Sequence, residues 1–336
     1  MGGDYAQSWK DWEAASGGRA VLHGSPAEIK GMAEGLYKAL TPMMPPFTEA
    51  VDVKEGDVDG IKYRIYTPKG KTGPFPTAIW THAGGYMTGD LDSDHLICGV
   101  VSEHTNSAVI NVDYRLTPEH QWPVQLEDSM KVYKWAHANA SSFGGDRNKF
   151  YTIGGSAGGG LAFQIANQVV QDPQLKDSIK GIVGMVPVTT HWASIPEKYK
   201  SKHKSYEDNK EGTPIIDMKS MEIFFEQAIP HPQSASYFPR HLGPKADPND
   251  PNVFTILATD QHAKYPPTYL TSCEFDPLRD DAYIMEEALK EAGVPVKHDH
   301  YKGMPHYFWI IPAIPEGQEY VAKLLQGIAW VLAQAE

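Results

Sequence analysis

Tyr151-Thr152-Ile153-Gly154-Gly155-Ser156-Ala157-Gly158-Gly159-Gly160 decides how this chain is read. A short apolar run ends in Gly154, Ser156 and Gly158, spaced as G-x-S-x-G, and a helix-length apolar stretch over 157–171 follows. Small residues on both sides permit a tight strand-to-helix turn that holds a serine hydroxyl exposed and strained. The helix N-terminus behind it favours developing negative charge. The competing reading is the glycine-rich turn of a dinucleotide-binding unit. It fits poorly, because this strand lies in mid-chain and no acidic ribose ligand follows the glycines at the right place. Ser156 is the candidate nucleophile.

A serine hydroxyl is a weak nucleophile and needs a base that is itself oriented by a carboxylate. On a turn of this kind the chain order is Ser, then Asp or Glu, then His. After a strand expected at 268–272 comes Glu274-Phe275-Asp276-Pro277-Leu278-Arg279-Asp280, and after the next strand comes Gly303-Met304-Pro305-His306-Tyr307-Phe308. Asp276 is read as the orienting acid and His306 as the base. Glu274 and Asp280 flank Asp276, and Asp280 is expected to cap the helix that follows. His298 and His300 alternate with Asp299 as one exposed strand face; as metal ligands they lack a partner cluster. Upstream, Thr81-His82-Ala83-Gly84-Gly85-Tyr86 follows another strand. Its glycines allow backbone N–H groups to approach an oxyanion, so Gly84 and Gly85 are the expected donors, with Ala157 as the third. His82 is expected to orient that loop.

Around these motifs, strands expected at 77–81, 108–113, 150–153, 179–186, 268–272 and 296–301 are mostly separated by helices at 123–138, 157–171, 280–292 and 317–334. That alternation predicts an α/β fold with a mostly parallel sheet flanked by helices. Asp57-Val58-Asp59-Gly60 joins two alternating runs into an antiparallel hairpin. Residues 1–48 read as two helices, the second opened by the capping box Ser25-Pro26-Ala27-Glu28. Residues about 190–250 break the rhythm and read as an insertion. The chain therefore divides into N-terminal cap helices (1–48) and a catalytic domain (49–336) that carries a cap insertion.

These motifs resemble the hormone-sensitive-lipase-like branch of the α/β-hydrolases. Asp113-Tyr114-Arg115-Leu116-Thr117-Pro118-Glu119-His120 is similar to that family's D-Y-R-L-A-P-E-H, residues 276–280 to its D-P-L-R-D, and 303–308 to its G-x-x-H-x-F. The matches run from about residue 75 to 310. Within the family the chain most resembles fungal esterases of secondary metabolism, of the versiconal hemiacetal acetate type. The resemblance implies an α/β-hydrolase fold with a helical cap and a serine carboxylesterase acting on small or medium neutral esters through an acyl-enzyme. Same-fold alternatives are deacetylation, lactone chemistry, acyl transfer or dehydration in fungal secondary metabolism, and a non-catalytic small-molecule receptor. Two departures stand out. Ala83 replaces the first glycine of the family's H-G-G-G, and Gly155 stands where an acidic residue usually precedes the nucleophile.

Composition sets the outer limits. The 336 residues are 41% apolar and 21% charged, with a net charge of −12. Such a surface repels phosphate backbones and anionic lipid, which argues against nucleic-acid or membrane partners. Cys98 and Cys273 are the two cysteines, too few for a secreted disulfide framework or a C-x-x-C motif. The polar start MGGDYAQSWKDWE lacks a signal-peptide pattern, so a cytoplasmic protein is expected. No metal or organic cofactor is called for. The last strands and the helix at 317–334 offer an edge for a homodimer. Eight Trp, 17 Tyr, 11 Phe and 11 Met supply pocket walls. The expected substrate-binding residues are Met32, Tyr37, Tyr86, Trp192, Phe224 and Phe225, with Trp9 and Phe47 as further candidates at the front.

Overall fold

The computed structural model describes residues 3–228 and 247–334; residues 229–246 of the expected insertion lie outside the described residues. The front of the chain forms two helices, α1 (Gln7–Ala15) and α2 (Pro26–Leu40). The Ser25 side chain accepts from the Glu28 N–H while the Glu28 carboxylate accepts from the Ser25 N–H, closing the expected capping box. Then come β1 (Val51–Val58), β2 (Ile61–Pro68), β3 (Phe75–Thr81), α3 (His95–Thr105), β4 (Ala108–Val112) and α4 (Val124–Ala138). The central unit is β5 (Gly145–Gly155), α5 (Ala157–Val169) and β6 (Ile179–Met185). The insertion contributes a single helical turn, α6 (Ser205–Asp208), and α7 (Met218–Ala228). The chain returns to the sheet as β7 (Thr268–Phe275), α8 (Arg279–Glu291), β8 (Val296–Pro305) and α9 (Pro315–Gln334).

The described strands form one eight-stranded sheet in the order β1-β2-β4-β3-β5-β6-β7-β8. The β1–β2 hairpin and the β2–β4 pairing are antiparallel, and every pairing from β4 onward is parallel. Residues alternate across the pleat, as period 2 demands. Ile79, Phe150, Ile182 and Leu270 face the core under α4, α5 and α8. Trp80, Tyr151, Val183 and Tyr269 face the opposite core under α3 and α9. Because β3, β5, β7 and β8 run in one direction, the segments that follow them all emerge at one edge of the sheet. That edge is where α/β sheets place their ligands.

Helix α3 is absent from the sequence expectation. Its start, Asp94, makes no side-chain cap bond, and Gly99 interrupts the run. Gly99 is there because the Phe47 ring packs against it; a Cβ would lie 2.5 Å from Phe47 Cε2. Phe47 also stacks on His95 at 4.1 Å, and Trp9 is fully buried in the core beneath α9. Trp9 packs the interior and the partly buried Phe47 packs against α3, where the expectation had both lining a pocket.

Candidate active site

Ser156 sits at the turn between β5 and α5 with φ 55° and ψ −120°, a conformation that is strained for any residue with a side chain. Its neighbours make the turn possible. A Cβ on Gly154 would lie 2.5 Å from the Thr81 carbonyl oxygen, and one on Gly158 would lie 2.7 Å from the Thr81 carbonyl carbon. The turn is pinned by Ser156 N–H donating to the Met185 carbonyl at 2.8 Å, and the Ser156 carbonyl accepts from Gly160 N–H at 3.0 Å. Ala157 opens α5, so its N–H lies among the free donors of the first helical turn.

Past the ends of β7 and β8, Asp276 and His306 meet. His306 Nδ1 lies 2.7 Å from Asp276 Oδ2, and both side chains are buried. The other carboxylate oxygen, Oδ1, accepts from Leu278 N–H at 2.8 Å, which fixes the plane of the carboxylate. Nδ1 of His306 is thereby assigned as the protonated nitrogen, leaving Nε2 as the acceptor. Glu274 takes a different part: its carboxylate accepts from Gly303 N–H at 2.7 Å and ties the loop before His306 to β7.

The loop after β3 carries Gly84 at φ 125° and Gly85 at φ 61°, both in the region that favours glycine. The Phe224 ring of α7 lies directly on Gly85, where a Cβ would be 2.6 Å from Phe224 Cγ. His82 stands behind the loop, as expected. Its Nδ1 donates to the Ala83 carbonyl at 2.8 Å, and its ring stacks on Tyr114 at 4.1 Å. Burial pushes the imidazole down to about 4, so it stays neutral. Tyr114 in turn donates to the His82 carbonyl at 2.7 Å, which gives the Asp113-Tyr114-Arg115 motif a part in shaping this loop. Asp94, fully buried, accepts from the Trp80 indole at 2.9 Å and faces the Ala83 amide. Burial raises its carboxyl to about 6.

The remaining candidates are placed as follows. Phe225 is buried and packs edge-on to Phe254 at 5.7 Å, with half-buried Trp192 beside it at 5.2 Å. Tyr86 is buried, and its hydroxyl lies 2.8 Å from where a Cβ on Gly160 would stand, one turn into α5. Tyr37 is half-buried near Ser93 and Asp94, and Met32 is exposed on α2.

Two expectations are corrected. Asp280 does not cap α8, whose N-cap is Leu278 without a side-chain bond. Instead its carboxylate accepts from the N–H groups of Lys204 and Ser205 at 2.6 and 2.7 Å, fastening the insertion to the Asp276 loop. His298 and His300 are not an exposed face. Ser272 Oγ lies between them, 2.8 Å from His298 Nε2 and 2.9 Å from His300 Nδ1, and His298 Nδ1 reaches Glu286 at 2.6 Å. Among the described residues no group of three His, Cys, Asp or Glu side chains is arranged to hold a metal ion, and no helix is long and apolar enough to cross a membrane.

Sequence reasoning missed Asp94, Tyr307 and the buried pair His203–Asp281, in which His203 Nε2 lies 2.8 Å from Asp281 Oδ1. Each acts through partners distant in the chain, and no local spacing announces them.

A strained serine, an imidazole–carboxylate pair and a glycine loop at one sheet edge define a hydrolase of the serine type. The chain belongs to the alpha/beta hydrolase fold family, which matches residues 78–310, and falls among the carboxylic ester hydrolases of its hormone-sensitive-lipase-like branch. It is 66% identical over 334 residues to the versiconal hemiacetal acetate esterase of Dothistroma septosporum, covering 99% of this chain and 97% of that one. To the enzyme of the same name from Aspergillus parasiticus it is 31% identical, covering 85% and 83%. Among solved structures it is similar to a vibralactone cyclase at 28% identity and a TM-score of 0.85, covering 99% and 96%. It shares its fold with an esterase of Pyrobaculum calidifontis at 24% identity and a TM-score of 0.81, covering 98% and 99%.

Proposed function

We propose that this enzyme removes a small acyl group, acetate foremost, from a bulky neutral ester through an acyl-enzyme on Ser156. The observation that carries the reading is the His306–Asp276 pair, 2.7 Å apart and buried, at the same sheet edge as the strained Ser156 turn. Ser156 Oγ attacks the ester carbonyl as His306 Nε2 takes its proton, and Asp276 holds the imidazole in that tautomer and stabilises the imidazolium. The N–H groups of Gly84, Gly85 and Ala157 receive the oxyanion. His306 then protonates the departing alcohol, water enters, and the same imidazole activates it to release the acid. The Phe224 ring over Gly85 favours a short acyl group, in keeping with the acetate named for the 66% identical relative. The net charge of −12 disfavours an anionic substrate, in keeping with a neutral ester.

The deciding experiment is turnover of a chromogenic acetate by the enzyme and by Ser156→Ala, together with labelling by a fluorophosphonate. Loss of both turnover and label in the variant supports the reading. Turnover undiminished in Ser156→Ala overturns it, and absence of labelling in the parent would point to a receptor.

A second reading rests on the similarity to a vibralactone cyclase. The same acyl-enzyme would be captured by a hydroxyl of the substrate instead of water, giving a lactone. Product analysis on an ester that bears an internal hydroxyl separates the two.

A further inference from the structure

Two residues beside the proposed catalytic groups are unexpected for their own backbones. Tyr307, next to His306, has φ 59° and ψ 25°, a left-handed conformation in which glycine is at ease and an aromatic residue costs about 1–2 kcal/mol. Gly155, next to Ser156, ends β5 with no positive φ to require a glycine, yet it gives up the entropy that any glycine does. One contact explains both. A Cβ on Gly155 would lie 2.6 Å from Tyr307 Cε2 and 2.7 Å from Tyr307 Cζ, so the tyrosine ring fills the space that a side chain at 155 would occupy. The ring also lies 5.5 Å from the His306 imidazole and 4.4 Å from Trp309. Tyr307 is buried, and its hydroxyl has no hydrogen-bond partner among the described residues, so packing and not a polar bond is what retains it.

We propose that Tyr307 is a positioning residue that locks the loop of the base against the turn of the nucleophile through Gly155, setting the Ser156–His306 approach. The inference rests on Ser156 and His306 being the reacting pair. It accounts for Gly155 in place of the acidic residue of the family: the ring that holds the base loop leaves no room for a side chain there. A misplacement of reacting groups by about 1 Å can cost about 100-fold in rate. The lock therefore acts on kcat far more than on KM.

The test is a double-mutant cycle with Gly155→Ala, Tyr307→Gly and the pair combined, read on chromogenic acetate turnover. Gly155→Ala is expected to lower kcat about 100-fold and Tyr307→Gly about 10-fold, with KM held within about threefold. The double variant is expected to exceed Gly155→Ala in kcat by about 10-fold, because the ring that clashes is gone. Tyr307→Phe is expected to recover most of what Tyr307→Gly loses.

A double variant whose loss is the product of the two single losses overturns the proposal, as does Gly155→Ala active within twofold of the parent. If Gly155→Ala does not fold, the cycle is read on soluble yield and Tm. A double variant that folds then supports the lock, and one that does not, while Tyr307→Gly does, overturns it. Ser156→Ala measured alongside distinguishes this failure from failure of the esterase reading.

Discussion

The indole N–H of Trp80 donates to Asp94 Oδ2 at 2.9 Å, joining the end of β3 to the start of α3 directly behind the oxyanion loop. The Ala83 amide faces the same carboxylate, so a buried charge holds the loop whose next two residues are the proposed donors.

Asp94→Asn should trade activity for stability. Burial raises the Asp94 carboxyl to about 6 from an ordinary 3.8, so between about pH 4 and 6 the native state binds this proton more tightly than the unfolded chain. Its contribution to stability accordingly falls as pH rises through that window, by roughly 3 kcal/mol. The variant lacks this loss, so its urea stability relative to the parent should climb from pH 4 to pH 7. Its kcat at pH 8 should drop about 10-fold, because an amide presents a donor to Trp80 or Ala83 where both need an acceptor. Parallel stability curves for the two proteins would refute the assignment.

Asp276→Asn keeps the shape of the pair but offers His306 Nδ1 an uncharged partner, free to present its own N–H. Turnover should fall by about 10³–10⁴ with KM little changed, and combining it with Ser156→Ala should add almost nothing further. Full additivity of the two would show that the residues act separately.

His203→Ala leaves Asp281 buried without its imidazole partner. Burial already raises the Asp281 carboxyl, and His203 is the foremost influence lowering it. Removing the imidazole pushes that carboxyl further up, so the variant should lose about 3–5 kcal/mol at pH 7.5 and distinctly less at pH 5, where a neutral acid is tolerated. Equal losses at the two pH values would assign the effect to packing instead.

Phe224→Ala opens the space over Gly85. Relative kcat/KM on p-nitrophenyl butyrate and hexanoate against acetate should rise about 10-fold, with acetate turnover reduced. An unchanged chain-length profile would remove Phe224 from the acyl pocket.

Much of this arrangement was legible because its signals are local. The glycines around Ser156 serve a turn that closes within five residues, and Asp276 and His306 each follow a strand whose apolar run is plain. Errors arose where a side chain answers to distant backbone. Asp280 looked like a helix cap, yet its partners are the amides of Lys204 and Ser205, over 70 positions away. His298 and His300 alternate as a solvent face would, but Ser272, Glu286 and Tyr283 cover that face. The left-handed turn at Tyr307 carried no sequence mark, because glycine would have been its usual sign.

The fastening of the insertion has a bearing on recombination between relatives. Ser205 Oγ donates to the Pro277 carbonyl, Asn209 Nδ2 to the Asp276 carbonyl, and Asp280 receives two insertion amides. The backbone carrying the proposed catalytic acid is thus partly built from insertion residues. A chimera that exchanges the stretch between β6 and β7 as a cassette must take the 276–281 loop from the same parent, or it inherits an aspartate with no seat.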